Sequence, residues 1–353
     1  MPFFLLAGCH KKTAPHAKPA PPVKVAEAIS KNVPLYIQTV GHVEAYNTVD
    51  IKSQVTGVIT KLAFEEGSFV KKGDLLVSID DRPYLAALHQ AKAALSQSAA
   101  QLKYHKDTAK RNTPLVKEEY ISQNSYENLI TNVLVSKAEV KQNQAEVETA
   151  EINLSYCTIY APIDGVAGNH MIDEGNLVIE SDSSTITTLK QIMPIYATFY
   201  IIEKDLPKVR KLQNQEPLKV LVSYEKDFSE REEGILTFID NEVDTSTGMI
   251  KLKGTFSNEN KFLWPGEYVN VRLILSIADN AILIPSEAVN INQKGKYVFV
   301  VTKEKRVEMR YVETGQQEDG YTIIKKGIDA GDNVVTEGQI NLSDGIKVAV
   351  AKE

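Results

Sequence analysis

The side chains that most often carry catalysis or bind metals are few and scattered in this 353-residue chain. Four of the six histidines precede residue 90, and the two cysteines, Cys9 and Cys157, lie far apart. The sequence has no Gly-x-Ser-x-Gly, P-loop, His-Glu-x-x-His or Cys-x-x-Cys motif. Cys157 falls at a predicted helix-to-strand transition, where a small buried residue is the ordinary interpretation. We therefore expect a protein that is not an enzyme and holds no metal or cofactor.

One oxygen-rich segment could in isolation suggest a calcium site. Residues 240–250 combine three carboxylates with serine and threonine hydroxyls. The segment does not follow the pattern of an EF-hand loop, which ends in a glutamate ligand. We expect it to form a structured turn instead.

Length and composition indicate a folded protein of two or three domains. A chain of 353 residues is too long for one small core. Hydrophobic residues make up 43% and charged residues 24%, both ordinary for a globular protein. The formal net charge of −6 and the lack of a basic patch give no reason to expect nucleic acid as a partner. No run of roughly 18 apolar residues occurs, so we expect no membrane-spanning helix.

The first nine residues resemble a targeting signal. An apolar run ends in Leu-Ala-Gly-Cys9, which resembles the lipobox of bacterial lipoproteins. In that class the signal peptide is cut before the cysteine and the thiol is acylated, so Cys9 is the expected lipidation site. The usual basic segment is missing ahead of the run, and we expect the natural start to lie upstream. Residues 10–22 contain four prolines and are predicted to form an extended tether.

The most informative pattern is an internal repeat. Gly57 and Gly67 lie ten residues apart in the first copy, and Gly165 and Gly175 have the same spacing in the second. In both copies β-forming residues alternate with glycines at turn positions, as in short strands. The repeat is similar to the two halves of a biotinyl/lipoyl domain, which implies a flattened barrel.

The two halves are separated by residues 83–156, and no hairpin with an attachment lysine sits at their junction. We therefore interpret the domain as a structural support, here called the mount, for the segment between its halves. A biotin or lipoyl carrier is the alternative from another functional class.

The segment between the halves is predicted to be a helical hairpin. Apolar residues recur at intervals of seven in both arms, which indicates an antiparallel coiled coil. They are Leu88, Leu95, Leu102 and Ala109 in the first arm and Tyr126, Val133, Val140, Val147 and Leu154 in the second. The intervening seam positions are small or polar, so the apolar stripe is narrow. Pro114 is expected to kink or interrupt the first helix near the tip.

A split lipoyl-like domain with a hairpin between its halves resembles the periplasmic adaptors, or membrane fusion proteins, of resistance-nodulation-division (RND) efflux pumps. In that family an arginine, a leucine four residues later and a serine seven residues further mark the tip that contacts the outer-membrane channel. Arg111, Leu115 and Ser122 have this spacing, and the resemblance implies that they contact the channel. The ordinary structural interpretation is that Arg111 is a solvated helix residue and Ser122 a helix N-cap.

The resemblance covers residues 23–353 and implies a mixed, mainly β fold with nested domains. Residues 240–250 and 262–269 resemble signatures of the family's small β-barrel, and the last β-rich block is expected to pair with residues 23–31. The implied parts are the signal and lipidation site (1–9), the tether (10–22), a membrane-proximal β domain (23–31 and 281–353), a β-barrel domain (32–50 and 190–280), the lipoyl-like domain (51–82 and 157–189) and the α-helical coiled-coil hairpin (83–156).

The resemblance also implies a function. The chain would link an inner-membrane, proton-driven RND pump to an outer-membrane channel for efflux of drugs or other small molecules. It would form a hexamer of three dimers and lie in the periplasm, anchored to the inner membrane through Cys9. An adaptor of an ABC-type exporter shares these domains and is the nearest alternative. The five methionines are not clustered, which disfavours a metal-efflux adaptor.

Overall fold

The computed structural model describes residues 20–180 and 184–351. Cys9 and the first ten residues of the predicted tether lie outside the described residues. The chain forms two compact units. The first unit contains Met1–Ile37 and Leu273–Glu353, and the second unit contains Gln38–Arg272.

Strands dominate and α-helices are few, which confirms the mainly β prediction. The strands are β1 (Pro22–Glu27), β2 (Ile29–Ala45), β3 (Thr48–Ile51), β4 (Gly57–Leu62), β5 (Phe69–Val70), β6 (Leu75–Ile79), β7 (Thr158–Tyr160), β8 (Gly165–Ala167), β9 (Leu177–Val178), β10 (Thr187–Lys190), β11 (Ile195–Ile202), β12 (Lys219–Ser223), β13 (Glu232–Ile239), β14 (Met249–Phe256), β15 (Tyr268–Pro285), β16 (Asn290–Asn292), β17 (Gly295–Val301), β18 (Val307–Tyr311), β19 (Glu313–Glu318), β20 (Tyr321–Lys326), β21 (Asn333–Glu337) and β22 (Ala349–Val350). The α-helices are α1 (Arg82–Lys117), α2 (Gln123–Ser155) and α3 (Leu206–Gln213). Among the described residues, none of the helices is both long and apolar enough to cross a bilayer.

The repeat builds two small sheets in the second unit. One sheet has the order β3-β10-β8-β5 and the other β7-β6-β4-β9, so each contains strands from both copies. The second glycine of each copy, Gly67 or Gly175, has a φ of 73° or 85°. This left-handed conformation is costly for a residue with a Cβ, which explains glycine at both turns.

The two copies exchange equivalent hydrogen-bonded pairs. Gly57 of the first copy pairs with Val178 of the second, and Gly165 of the second pairs with Val70 of the first. Both partners are shifted by the same 108 residues that separate the repeats. The two halves are therefore related by a local twofold pseudosymmetry. They are interlocked, because each half contributes strands to both sheets.

A pair of glutamates follows the same symmetry. The His170 N–H donates to Glu66 Oε1 over 2.6 Å, and the Leu62 N–H donates to Glu174 Oε1 over 2.6 Å. Each carboxylate thus accepts a backbone hydrogen bond from the opposite copy. Such charge-assisted bonds are stronger than neutral ones.

We expect Glu66→Ala and Glu174→Ala to lower the free energy of unfolding by similar amounts, about 1 kcal/mol each, because each removes one acceptor from a backbone N–H. Urea unfolding and hydrogen exchange at the Leu62 and His170 amides measure the effect. Glu65→Ala is the matched control, since the Glu65 carboxylate bonds no other described residue. Glu66 Oε1 also lies 3.8 Å from His170 Nδ1, so the amides decide the symmetry argument: unequal loss of exchange protection at Leu62 and His170 would contradict it.

The hairpin is mounted on two neighbouring strands of this barrel. Ser78 near the end of β6 pairs with Thr158 at the start of β7, and the Ile79 N–H donates to the Cys157 carbonyl over 2.8 Å. Helix α1 therefore leaves, and helix α2 returns, at adjacent positions. Cys157 is 1% exposed, and burial raises the pKa of its thiol.

The base of α1 is tied to the mount. The Tyr84 hydroxyl in its first turn donates to the Thr56 carbonyl over 2.8 Å. The Arg82 guanidinium donates to both Asp80 carboxylate oxygens, over 2.8 and 2.6 Å. These bonds lower the pKa of Asp80 to about 2, so the pair stays ionised at neutral pH.

The rest of the second unit is a β-barrel. The strands follow the order β12-β13-β14-β11-β2-β15, and β12 also pairs with β15. Residues 240–250 include the predicted turn: Asp244 Oδ1 accepts from the Ser246 N–H over 2.8 Å, and Gly248 has a φ of 65°. In the neighbouring loop, buried Asn258 exchanges hydrogen bonds of 2.9 Å with the Leu263 backbone.

The first unit joins the two ends of the described chain. Its main sheet has the order β16-β17-β21-β1-β22, and β18 pairs with β17. Lys24 of β1 pairs with Glu337 of β21, and their side chains form an ion pair of 2.8 Å. The predicted pairing between residues 23–31 and the last β-rich block is thus confirmed.

Candidate functional site at the hairpin tip

Helices α1 and α2 are long and antiparallel. With 36 and 33 residues, they extend over about 54 and 50 Å at 1.5 Å per residue. Asn143 late in α2 donates to the carbonyl of Ala94 early in α1 over 3.2 Å. Near the other end, the Thr113 and Tyr126 hydroxyls lie 3.1 Å apart. The turn between the helices is therefore remote from the mount.

The seam between the helices follows the predicted seven-residue spacing. Leu88 and Ala109 of α1 and Val147 of α2 are buried. Two small polar residues, Ser98 and Ser136, are buried on the seam as well. Ser98 satisfies its hydroxyl by donating to a carbonyl in the preceding turn. Within the described residues, the fully buried part of the seam is limited to these five side chains.

Of the two outcomes expected at Pro114, a kink or an interruption, the interruption is wrong, because the helix continues through Pro114 to Lys117. A proline removes one backbone N–H and crowds the preceding turn. Here it lies within one turn of the helix end, where few hydrogen bonds remain to be broken. Arg111 and Leu115 consequently lie on the last two turns of α1 rather than in a loop.

The end of α1 is closed by a Schellman motif. The Tyr120 N–H donates to the Leu115 carbonyl over 2.9 Å, and the Glu119 N–H to the Val116 carbonyl over 3.2 Å. Glu119 has a φ of 62°, which costs a non-glycine residue about 1–2 kcal/mol. No glycine marks this cap, so the sequence carries no direct signal for it.

Ser122 is the N-cap of α2, as its residue type predicts. Its backbone is extended, with φ −69° and ψ 148°, and its Oγ accepts from the Ser125 N–H over 3.2 Å. The Ser122 and Ser125 hydroxyl oxygens are 2.8 Å apart. The side chain therefore fixes where α2 begins.

The three predicted contact residues occupy the same end of the hairpin, and all are exposed. Leu115 is 38% exposed. Within the described residues, Arg111 donates to the Thr108 hydroxyl over 3.2 Å and forms no ion pair. No described contact joins the side chains of Arg111, Leu115 and Ser122 to one another.

Sequence reasoning assigned no role to Tyr120, which is 74% exposed in the turn. A large aromatic side chain left in solvent at a protruding tip is suited to binding a partner. Its only sequence signal is an isolated aromatic residue within a polar turn. The tip thus presents a cation, an apolar side chain, an aromatic ring and a hydroxyl.

We expect Ser122→Ala to destabilise the start of α2 by about 1 kcal/mol, because the Ser125 N–H loses its acceptor. Faster hydrogen exchange at the Ser125 amide measures this loss. Ser122→Asp should restore protection, since aspartate also caps helices. Equal exchange in the alanine variant and the wild type would show that the cap contributes nothing to the tip.

Family models for three domains match successive parts of the chain. The barrel-sandwich hybrid domain of RND MFPs matches residues 47–190, their β-barrel domain matches residues 194–276, and their C-terminal permuted SH3 domain matches residues 280–340. The first match contains the interlocked halves and the whole hairpin. These matches and the fold define a membrane fusion protein.

Individual relatives agree with this class. Multidrug resistance protein MdtA of Photorhabdus laumondii subsp. laumondii is 35% identical over 333 residues, covering 94% of this chain and 83% of that protein. The crystal structure of MacA from Actinobacillus actinomycetemcomitans has a TM-score of 0.66 at 27% identity, covering 88% of this chain and 99% of that one. A MacA–MexA chimeric protein containing the α-hairpin domain of Pseudomonas aeruginosa MexA has a TM-score of 0.58 at 28% identity, with the same coverages. The chain belongs to the RND membrane fusion protein family.

Proposed function

We propose that this chain is the periplasmic adaptor that links an inner-membrane RND pump to an outer-membrane channel for drug efflux. Family membership supports the adaptor role, and relatives named for multidrug resistance support drugs as the exported compounds. The single observation that carries the proposal is a helical hairpin about 50 Å long with an exposed, capped tip. Such an element reaches a distant partner and has no evident use in catalysis.

The structural parts suit a connector. Within the described residues, no group of three His, Cys, Asp or Glu side chains is placed to hold a metal ion. We assign the work of the protein to assembly and to transmission of conformational change. The proposed parts are the membrane-proximal domain (23–31 and 281–353), the β-barrel (32–50 and 190–280), the lipoyl-like mount (51–82 and 157–189) and the hairpin (83–156).

The tip is the proposed contact with the channel. Leu115 supplies an apolar side chain that can enter a groove between channel helices. Arg111 forms no ion pair with a described residue, so its guanidinium can donate to acceptors on the channel. Ser122 Oγ accepts from the Ser125 N–H. When the Ser125 hydroxyl is the donor in the 2.8 Å contact between the two serines, the Ser122 hydroxyl can donate to the channel. We add Tyr120 to this surface on the strength of its exposure.

The remaining parts of the proposal concern assembly and location. A lipid on Cys9, which lies outside the described residues, would anchor the chain to the inner membrane, since several acyl chains give stable attachment. Self-association into a hexamer of three dimers would bring several tips to one channel. Many weak tip contacts made together bind far more tightly than one.

We expect Leu115→Asp to reduce crosslinking to the channel at least about tenfold, because a carboxylate buried in an apolar groove loses its hydration. The tagged protein is crosslinked in its native membranes, and its partners are identified by mass spectrometry. Leu134→Asp is the matched control, since Leu134 is 61% exposed on α2 and lies away from the tip. Crosslinks to the pump should persist in both variants.

Other outcomes would redirect the proposal. Recovery of an ABC transporter in place of an RND pump would keep the adaptor role and change the pump class. A biotin or lipoyl adduct, without pump or channel, would identify a carrier. Equal loss of channel crosslinks in Leu115→Asp and Leu134→Asp would remove the assignment of the tip.

A further inference from the structure

A tight turn between β17 and β18 in the first unit projects basic side chains outward. The Thr302 N–H donates to the Arg306 carbonyl over 2.8 Å, and the Lys305 N–H donates to the Thr302 carbonyl over 2.9 Å. Lys305 adopts a φ of 57°. Lys303, Lys305 and Arg306 are all exposed, so a well-defined backbone holds three cations on one turn.

This turn lies beside the point where the described chain begins. The Val348 N–H donates to the Lys305 carbonyl over 2.9 Å, and the next residue, Ala349, donates to the Pro21 carbonyl over 3.0 Å. Neighbouring strands are about 4.8 Å apart. The basic turn is therefore separated from Pro21 by a single strand. Lys347, which is exposed, pairs with Arg306 through an isolated antiparallel β-bridge of the backbone.

Four exposed basic side chains in this region form no ion pairs with described residues. They are Lys303, Lys305, Arg306 and Lys347, here called the basic face. Arg306 donates to a backbone carbonyl, that of Gly345. A cleft of about 460 Å³ opens beside Lys303 and Lys305, and it is also lined by Arg310 and Asp332, which form an ion pair with each other. Glu304 and Asp344 are the nearest acidic residues in sequence. They offset two of the four positive charges, so the face keeps an excess of positive charge.

The sequence that precedes β1 has the same sign of charge. It contributes Lys11, Lys12 and Lys18, and no acidic residue occurs before Glu27. The whole chain has a net charge of −6. The sequence that leads into the first unit therefore carries the same sign of charge as the basic face.

An apolar side chain projects from the same region. Ile340 is 99% exposed, the highest value among the large hydrophobic residues that the structure describes. Its neighbours Leu342 and Ile346 pack against the core of the first unit. A Cβ on Gly338 would come within 2.6 Å of the Pro22 carbonyl, so the connection that carries Ile340 starts against the first residue of β1.

We propose that the basic face and Ile340 together form a docking surface for a bilayer that contains anionic phospholipid. The cations would meet the headgroup phosphates, and Ile340 would enter the boundary between headgroups and acyl chains. The inference rests on the proposed attachment to the inner membrane. Both elements lie where a lipidated tether would bring the first unit to the membrane.

This surface would do what a tether cannot. Twelve residues separate Cys9 from Pro22, and an extended chain of that length reaches about 40 Å. A lipid at the end of such a chain holds the protein near the membrane and leaves its orientation free. Docking through the basic face would set which side of the first unit faces the bilayer.

The test uses the full chain with Cys9→Ser, so that no lipid contributes to binding. Cosedimentation is measured with vesicles of phosphatidylcholine alone and of phosphatidylcholine mixed with phosphatidylglycerol. We expect binding to the mixed vesicles only, and weaker binding as salt is raised. Binding that is equal on the two compositions would overturn the proposal.

Charge reversal identifies the surface. We expect Lys303→Glu with Lys305→Glu, in the Cys9→Ser chain, to weaken binding by about 20-fold or more, at about fivefold for each basic residue lost. The matched control, Lys208→Glu with Lys211→Glu, makes the same charge change on exposed positions of α3. It should change binding little. Circular dichroism and thermal unfolding verify that each variant is folded.

The apolar contribution is tested in the same assay. We expect Ile340→Ser to weaken binding about fivefold, because the side chain no longer enters the interface. Ile291→Ser is the control, since Ile291 is 76% exposed and lies on β16, beside the start of β17. Equal effects of the two serine variants would remove Ile340 from the surface.

The result is separable from the test of the proposed function. Vesicle binding unaffected by Lys303→Glu with Lys305→Glu, together with lost crosslinks to the pump in cells, would assign the basic face to a protein partner and overturn the membrane proposal. Failed vesicle binding with intact crosslinks to pump and channel would overturn this inference alone. Bound vesicles without crosslinks to pump or channel would instead count against the adaptor function.

Discussion

The reciprocal strand exchange between the two halves of the repeat is the constraint on which the hairpin depends. Gly57 pairs with Val178 and Gly165 with Val70, so neither half completes its sheets without the other. Helix α1 leaves from β6 and helix α2 enters β7, and these neighbouring strands come from different halves. The interlocked barrel therefore holds the two helix bases together, and a long insertion between the halves does not pull them apart.

The hairpin itself contributes little apolar burial along its length, and its geometry is determined at its ends. At the base, Tyr84 and Arg82 bond to the mount. At the tip, a Schellman motif ends α1 and the Ser122 side chain begins α2. With both ends defined, the backbone that carries the exposed side chains of the tip has a defined conformation. A preorganised contact surface loses less conformational entropy when it binds.

The first unit places the beginning and the end of the described part of the chain in one sheet, because β1 lies between β21 and β22. One consequence is that the end of the predicted tether at Pro21 and Pro22, a basic turn and an exposed isoleucine, far apart in sequence, share one region. The charge of the whole chain conceals this feature, since a net charge of −6 predicts no attraction to anionic surfaces. Local electrostatics near a bilayer depend on where charges lie within about a Debye length, not on their sum.

Local and periodic patterns in the sequence determined much of the fold. The spacing of the glycines predicted the repeat, the seven-residue spacing predicted the helical seam, and Ser122 was predicted to cap α2. These features depend on neighbours within a turn or a strand, so composition and spacing are sufficient. The sequence did not reveal the hydrogen bonds that Glu66 and Glu174 accept from the opposite halves. It also did not reveal the continuation of α1 through Pro114 or the basic face beside Pro21. Only the tertiary structure decided these, because each depends on which distant segments pair and on which side chains that pairing leaves in solvent.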